Sequence, residues 1–447
     1  MAASRGVLVV LFFGVLLSAL DIAVLGPALP AMRDTFGVDA RTGSWLFNAF
    51  VFANFVGVPL MATLSDRLGR RPVFMLDVAL FGLGALLVGS MSTFEGVLLG
   101  RVLQGLAASG VFPAAAAVVG DQYPPEERGK ALGMLGAVFG LAFLFGPAIS
   151  GAVLAVGKWQ WLFWGMTAGS LVCLSIAYRV LPVTRGADPT PFDAFGLVVL
   201  AVGSLAFAIA LNTASVAIVS GWFWLWVVVL LVGFLLIATY VRHMRRVDHA
   251  VVSLQFFADP FVRRAMMIGV ITGVAEATFI FMSEWLITAY GLSRSAASYW
   301  LIPLTAAVAV ASPIAGRLIK RVGVARVLAV GLSAMAFGLA ILAIAQTTLS
   351  FYVFGAIGLG GGLAIVLGPS LSYVVLGRTP ASRRSRGQGV ITLSISLGQM
   401  LGGASLGALI TGVGGILGFR LAFAVSSVLC VLGWWLSRHI AAMERSS

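Results

Sequence analysis

The stretch Pro59-Leu-Met-Ala62-Thr-Leu64-Ser-Asp66-Arg67-Leu-Gly69-Arg70-Arg71-Pro-Val73 lies between two long apolar runs, and it recurs. Residues Pro313-Ile-Ala-Gly316-Arg-Leu318-Ile-Lys320-Arg321-Val-Gly323-Val-Ala-Arg326-Val327 repeat its Pro, Leu, Arg, Gly and Val at a constant offset of 254, with Gly316 answering Ala62. Two short basic turns can look alike by chance. Five matches with proline in register favour a duplication, and parallel repeats around a shared site mark secondary transporters.

Working outward, fourteen segments are apolar over the roughly 20 residues a membrane helix needs. They lie at 7–31, 43–64, 73–93, 96–119, 131–155, 160–181, 194–213, 220–241, 264–288, 297–317, 326–345, 349–375, 388–411 and 418–437. The two turns follow segments 2 and 10. Two six-helix halves alone would put them six helices apart, not eight, so segments 7 and 8 read as an insertion. The expected fold is an all-α polytopic membrane protein with 14 transmembrane helices. Residues 1–185 form a six-helix bundle, 186–250 the two inserted helices, and 251–447 a second six-helix bundle.

Composition agrees. Of 447 residues, 60 % are hydrophobic and 10 % charged, and the mean hydropathy is +1.04. Soluble domains are about 45–50 % apolar and about 25 % charged, so an ordinary soluble enzyme and a disordered chain are excluded. The net charge of +13 sits in short turns between apolar runs. No soluble stretch is long enough to be a nucleic-acid module. With the N-terminus in the cytoplasm, all of the 29 Lys and Arg except Arg33, Arg41, Arg101, Lys158, Arg294 and Arg420 fall on the cytoplasmic side. Such a bias sets orientation and places both termini in the cytoplasm. The apolar run from Gly6 passes Asp21 and continues to Ala31 with no cleavage-like tail, which predicts a retained first helix. Cys173 and Cys430 lie inside apolar runs and support neither a disulfide framework nor a zinc site. No Gly-x4-Gly-Lys-Ser/Thr loop is present, so ATP-driven export by this chain alone is excluded. His243 and Asp248 have the His-x4-Asp spacing of acyltransferases, but in a basic linker without a companion motif. They read as coincidence, and the chain as no enzyme.

An ionisable group at the centre of a membrane helix costs about 2.5–3.5 kcal/mol on insertion scales and therefore needs a reason. Asp21 in helix 1 and Arg101 in helix 4 lie at similar depths. They are either a protonatable carboxylate with its tuning cation or a fixed pair that locks two helices. Glu276 is central in helix 9, the counterpart of helix 1. Burial favours the neutral carboxyl and a nearby cation the ionised one, so a proton and a cationic substrate can compete for such a group. Its other reading is a neutral side chain hydrogen-bonded to a neighbouring helix. Glu284, two turns further out, reads as a rim residue or gate and a weaker coupling candidate. Asp77, about one turn into helix 3, should reach water or a loop arginine and be structural. Trp45, Phe47, Phe50, Phe52 and Phe55, with Asn48 and Asn54 between them, offer aromatic faces that suit lipophilic cations, though aromatics also fill bundle cores and interfacial belts. Trp45, Asn48, Phe52, Gln104 and Gln399 are the substrate-wall candidates. Gly146-Pro147 interrupts the helix 5 ladder and is either a hinge or a static bend.

The Pro59–Val73 turn resembles motif A of the major facilitator superfamily, Gly-x-Leu-x-Asp-Arg-x-Gly-Arg-Arg, with Ala62 for its first glycine. Arg101-Val-Leu-Gln104-Gly105 resembles the core of motif B. Gly133, Gly146-Pro147 and Gly151 resemble the helix 5 antiporter motif, with Ala142 and Ser150 in place of two glycines. Leu20-Asp21-x-x-Val24 with Ala28-Leu29-Pro30 resembles the first-helix signature of the 14-helix drug:proton antiporters. Trp159-Gln160-Trp161 and Phe163 resemble the Trp-Arg-Trp-x-Phe element opening helix 6. Many members have an arginine just before the glutamine of helix 13; this chain has Gly398 before Gln399.

The resemblance implies a cytoplasmic latch of Asp66, Arg67, Gly69, Arg70, Arg71 and Asp121. In it the motif A aspartate meets a helix N-terminus of the other half and the arginine four residues on is held by an acid ending helix 4. Arg67 and Arg71 read mainly as topology anchors. It also implies a helix 5 hinge at Gly133, Gly146, Pro147 and Gly151, and export rather than uptake. The expected function is proton-coupled export of hydrophobic or cationic small molecules by alternating access. Asp21, Glu276, Arg101 and Glu284 are the coupling candidates. A dedicated lipid or metabolite exporter is the alternative, and an uptake symporter fits the helix 5 pattern less well. The chain is expected to need no cofactor or metal beyond the proton gradient. It should act as a monomer among membrane lipids of a bacterial inner membrane, with its substrate and protons as partners and no nucleic acid.

Overall fold

The computed structural model describes residues 5–38, 40–43, 45–183, 193–219, 222–247, 254–292, 294–344 and 348–444. Most of the 182–193 linker, Arg185 and Asp248 lie outside the described residues, among which there is no strand. The first six long helices are α1 (Arg5–Phe36), α2 (Trp45–Leu68), α3 (Arg70–Ser90), α4 (Phe94–Gln122), α5 (Pro125–Val156) and α6 (Gln160–Val180). Next come α7 (Ala194–Val219) and α8 (Phe223–Met244). The last six are α9 (Pro260–Tyr290), α10 (Ile302–Val322), α11 (Val324–Ile344), α12 (Leu349–Arg378), α13 (Arg384–Val413) and α14 (Gly415–Glu444). A bilayer core offers the backbone no water, so helices that satisfy their own amides are the expected solution.

The expected fourteen crossings are met in part. Among the described residues 12 helices are long and apolar enough to cross, or up to 13 if the bent α9 is one span. α7 is 26 residues long, and α9 turns by 46° between Phe279 and Phe281. Thr278 donates its hydroxyl to the Ala275 carbonyl just before that bend, a bond type that bends helices.

Local chemistry sets the helix ends. Thr93 caps α4 by accepting the Gly96 N–H, and Asp259 caps α9 by accepting the Phe261 N–H at 2.7 Å. Asp193 likewise accepts the Gly196 N–H at the start of α7. Both copies of the repeated turn place glycine at positive φ, Gly69 at 107° and Gly323 at 84°. Side chains other than glycine rarely adopt that conformation. The two turns thus share a backbone as well as a sequence.

The neighbour pattern recurs too. In the first half α1 packs on α5 and α6, α4 on α2 and α3, and α3 on α6; in the second, α9 packs on α13 and α14, α12 on α10 and α11, and α11 on α14. Each half has its own core, one around Leu11, Leu25, Phe74, Phe81 and Phe163, the other around Trp285, Leu328, Leu339, Tyr352 and Phe423. The α7–α8 hairpin packs on itself and reaches α2 and α13 through α7. Only 11 % of the apolar window of α8 is buried against 72 % of that of α4, so α8 is peripheral and α4 central. His243 of α8 bonds Asp193 at 2.8 Å, which makes it a strut of the hairpin.

The halves meet along two seams related by the repeat, α2 on α13 and α5 on α10. Both seams include the molecular end that carries the basic turns, here called the basic face.

Candidate functional site

Three polar side chains close on one another in the first half. Arg101 of α4 donates to Asp21 Oδ2 of α1 at 2.6 Å and to Gln104 Oε1 at 2.8 Å, and Gln104 donates to Asp21 Oδ1 at 2.9 Å. Gln104 reaches Asp21 because it lies three residues, nearly one turn, from Arg101. The Arg101 Nε donates to the Leu46 carbonyl of α2 at 2.8 Å, and the guanidinium lies 4.7 Å from the Phe50 ring centre. Asp21, Arg101 and Gln104 are each 0 % exposed. The cluster therefore ties α1, α2 and α4 together as a buried, nearly satisfied network; among the described residues only the second terminal nitrogen of Arg101 finds no hydrogen-bond acceptor.

Glu276 does not join that network. It is half-buried on α9 and hydrogen-bonds Gln399 of α13, within its own half, while its Oε2 is buried and has no partner among the described residues. The absence of an arginine before Gln399 has a packing reason. A Cβ on Gly398 would lie 2.1 Å from the Val270 carbonyl oxygen and 3.0 Å from Gly273 Cα, so α9 and α13 touch backbone to backbone there. Glu284 is exposed.

The second assembly spans the halves at the basic face. Asp66, at the end of α2, accepts the backbone N–H groups of Ser385 and Arg386 at 3.0 and 2.8 Å. These are the first turn of α13, where unpaired amides and the helix dipole favour an anion. Arg70 pairs with Asp66 and with Asp121 at 3.3 Å, and donates to the Ser65 carbonyl at 2.9 Å and across the seam to the Ala381 carbonyl at 2.7 Å. Arg384 of α13 pairs with Asp121 and donates to the Gly120 carbonyl at 2.6 Å. The structure thus brings Asp66, Arg70 and Asp121 together and adds Arg384, Ser385, Arg386 and Ala381 from the other half. Arg71 donates to the Tyr178 carbonyl at 2.6 Å, within the first half. Arg67 is half-buried on the last turn of α2.

The helix 5 residues divide. α5 runs as one helix through Pro147. A Cβ on Gly133 would lie 2.6 Å from the Ser312 carbonyl oxygen of α10, and one on Gly146 would lie 2.4 Å from Ala23 Cβ of α1. Gly151 faces open space, and Pro147 is exposed. Sequence reading missed that Gly129, Gly133, Gly136 and Gly140 form one row. Their spacing of four, three and four puts them on one helix face, and the row lies against Gly316, Ser312, Gly368 and Ala309 of the other half.

The α2 aromatics do not form one wall. Trp45 and Phe52 pair edge-on at 6.1 Å, with half-buried Asn48 on the same face, whereas Phe50 turns inward beneath Arg101. Another ring pair crosses between the halves, Phe143 of α5 with Phe279 of α9 at 5.4 Å. It went unnoticed because the two rings are far apart in the chain. Among the described residues, no group of three or more His, Cys, Asp or Glu is placed to hold a metal.

Comparisons with known proteins point one way. The chain is 27 % identical over 408 residues to the multidrug resistance protein Stp of Mycobacterium tuberculosis, covering 89 % of this chain and 74 % of that protein. It is 27 % identical to the methyl viologen resistance protein SmvA of Salmonella typhimurium over 88 % of this chain and 80 % of that one. An uncharacterized MFS-type transporter of Bacillus subtilis, YfiU, is 28 % identical over 86 % of this chain and 74 % of its own length. Among solved structures, the human organic anion transporter MFSD10 superposes with a TM-score of 0.75 at 17 % identity, covering 98 % of this chain and all of that one. The proton:xylose symporter XylE superposes with a TM-score of 0.71 at 12 % identity, over 96 % and 94 %; both likenesses concern the fold. The Major Facilitator Superfamily model matches residues 11–250 and 265–447, and the chain, a multi-pass membrane transporter, belongs to that superfamily.

Proposed function

We propose that this transporter is a proton-coupled exporter of hydrophobic or cationic small molecules, resident in a bacterial inner membrane with its basic face toward the cytoplasm. The observation that carries this reading is the sealed Asp21–Arg101–Gln104 cluster. A carboxylate paired to a buried arginine at the midplane is poised to exchange its partner for a proton. Glu276, partly accessible and held only by Gln399, supplies a second carboxyl on the counterpart helix. Relatives that bear multidrug and methyl viologen resistance names support the substrate class. The Asp66–Arg70–Asp121 assembly with Arg384 holds the cytoplasmic side shut, and its parting opens the site to the cell interior. Alternating access by rocking of repeat halves is the general mode of such proteins.

The test is ethidium accumulation in cells expressing the chain, with and without a protonophore. Exclusion abolished by the protonophore, and weakened in Asp21→Asn and Glu276→Gln, is expected. No exclusion by a chain shown to be folded and inserted overturns the reading in favour of a dedicated lipid or metabolite exporter.

A further inference from the structure

Asp77 belongs to neither assembly. It lies two turns into α3 from the basic face, is 0 % exposed, and neither of its carboxyl oxygens has a hydrogen-bond partner among the described residues. This corrects the expectation that it would reach water or a loop arginine. α3 is turned so that the residue points into the first half. Gly110 of α4 makes the place for it: a Cβ at Gly110 would lie 2.2 Å from Asp77 Oδ2 and 2.7 Å from Met61 Cβ of α2. Three helices therefore close around one carboxyl group.

The charged groups on α3 and the helices packed against it are engaged elsewhere or distant in sequence register. On α2, Asp66 is committed to Arg70 and the α13 amides, and Arg67 ends the helix. On α4, Arg101 is committed to Asp21 and Asp121 to Arg70 and Arg384, while Glu95 is in the first turn. On α3 itself Arg70 and Arg71 are held at its start, and on α6 Arg179 is in the last turn. A charge buried without a partner is costly, and only a proton or a cation removes it. An apolar residue would pack in that place at no such cost.

Position gives the group a task. Along α4, Gly110 is six residues from Gln104, about 9 Å at 1.5 Å per residue, and eleven from Asp121, about 17 Å. Asp77 thus lies between the midplane cluster and the latch. We propose that Asp77 carries the transported proton from the Asp21 cluster to the basic face. Waters admitted beside α2 and α4 as the halves part at the latch carry to it the proton that Asp21 gives up, because the two carboxyls are beyond hydrogen-bond reach of each other, and the same waters take that proton on to the basic face. One proton arrives on a carboxyl oxygen and one leaves, and no other bond changes. The proposal rests on the proton-coupled reading above.

The test uses the purified full chain in liposomes with ethidium as substrate and a pH dye inside. Asp77→Asn keeps the shape of the side chain, and Asp77→Ala is a second variant that fits any packing. In both, ethidium binding and ethidium-for-ethidium exchange should stay within about twofold of wild type. Transport driven by a pH gradient, and the proton flux coupled to it, should fall at least about tenfold. Wild-type gradient-driven transport in either variant overturns the proposal. So does an equal loss of exchange and driven transport in both, which marks a packing role only. If the wild-type chain itself shows no coupled proton flux, the proton-coupled reading fails first and Asp77 falls with it.

Discussion

Asp66→Asn isolates what holds the basic face shut. The substitution keeps the size of the side chain and removes its charge. The bond to Arg70 joins residues of the same half, so its loss weakens open and closed states alike and does not shift their balance. The contacts to the Ser385 and Arg386 amides cross the seam, and of the bonds made by Asp66 only these favour the closed state. An anion at a helix N-terminus is worth up to about 2 kcal/mol when partly buried. The neutral amide keeps one acceptor, so about 1–2 kcal/mol should be lost. At tenfold per about 1.4 kcal/mol, the closed-to-open ratio drops roughly 5- to 30-fold. Spin labels at Leu68→Cys and Gly377→Cys read this directly. Leu68 is 54 % exposed, Gly377 faces open space, and the native Cys173 and Cys430 are buried. A second, longer distance population should appear, with slower transport and nearly unchanged substrate affinity. Unchanged distances together with unchanged turnover would refute the assignment of the seam to Asp66.

Arg101→Met strands Asp21 as a buried unpaired carboxylate and should cost about 3–5 kcal/mol. Thermal unfolding in detergent should find the Asp21→Asn/Arg101→Met double variant more stable than this single one, and the reverse order would show that the pair does not lock the helices. Gly398→Arg should abolish folded, monodisperse protein, because its Cβ meets the Val270 carbonyl at 2.1 Å. A well-folded variant would refute the packing account of that glycine.

Apolar length and the offset of 254 made the helical architecture legible, because both depend on one-dimensional pattern. The bend in α9 was less so. The α9 bend follows a hydroxyl–carbonyl bond near Thr278 that hydropathy does not register. The Asp21–Arg101 pair was legible from depth alone, since two opposite charges at one level of a membrane have few other partners. Gln104 was harder, because a neutral side chain carries no comparable penalty: it read as a substrate-wall candidate and is instead buried between Arg101 and Asp21. Asp77 was misread for want of orientation. One turn from water and facing a bundle look the same in sequence, and only Gly110 opposite reveals which applies. Arg384 was hidden among Arg378, Arg383 and Arg386, four basic residues of which the α13 start selects one for Asp121.

The two seams are related by the repeat but held by different physics. At the first, Asp66 meets the start of α13 and the contact is electrostatic. At the offset of 254 the second turn has Lys320 and Arg321 where the first has Asp66 and Arg67. A cation facing a helix N-terminus repels, and the α5 start carries Glu126 and Glu127 in its first turn. These four residues, with Lys130 and Arg317, line a cavity of about 430 Å³. Contact at the second seam comes from backbone approach, with a Cβ on Gly129 only 2.6 Å from the Gly316 carbonyl. Packing of this kind is insensitive to charge, whereas the Asp66 seam responds to any change of ionisation. On the proposed function, a signal carried by protons therefore acts on the α2–α13 seam, and the α5–α10 seam serves as the surface about which the halves turn.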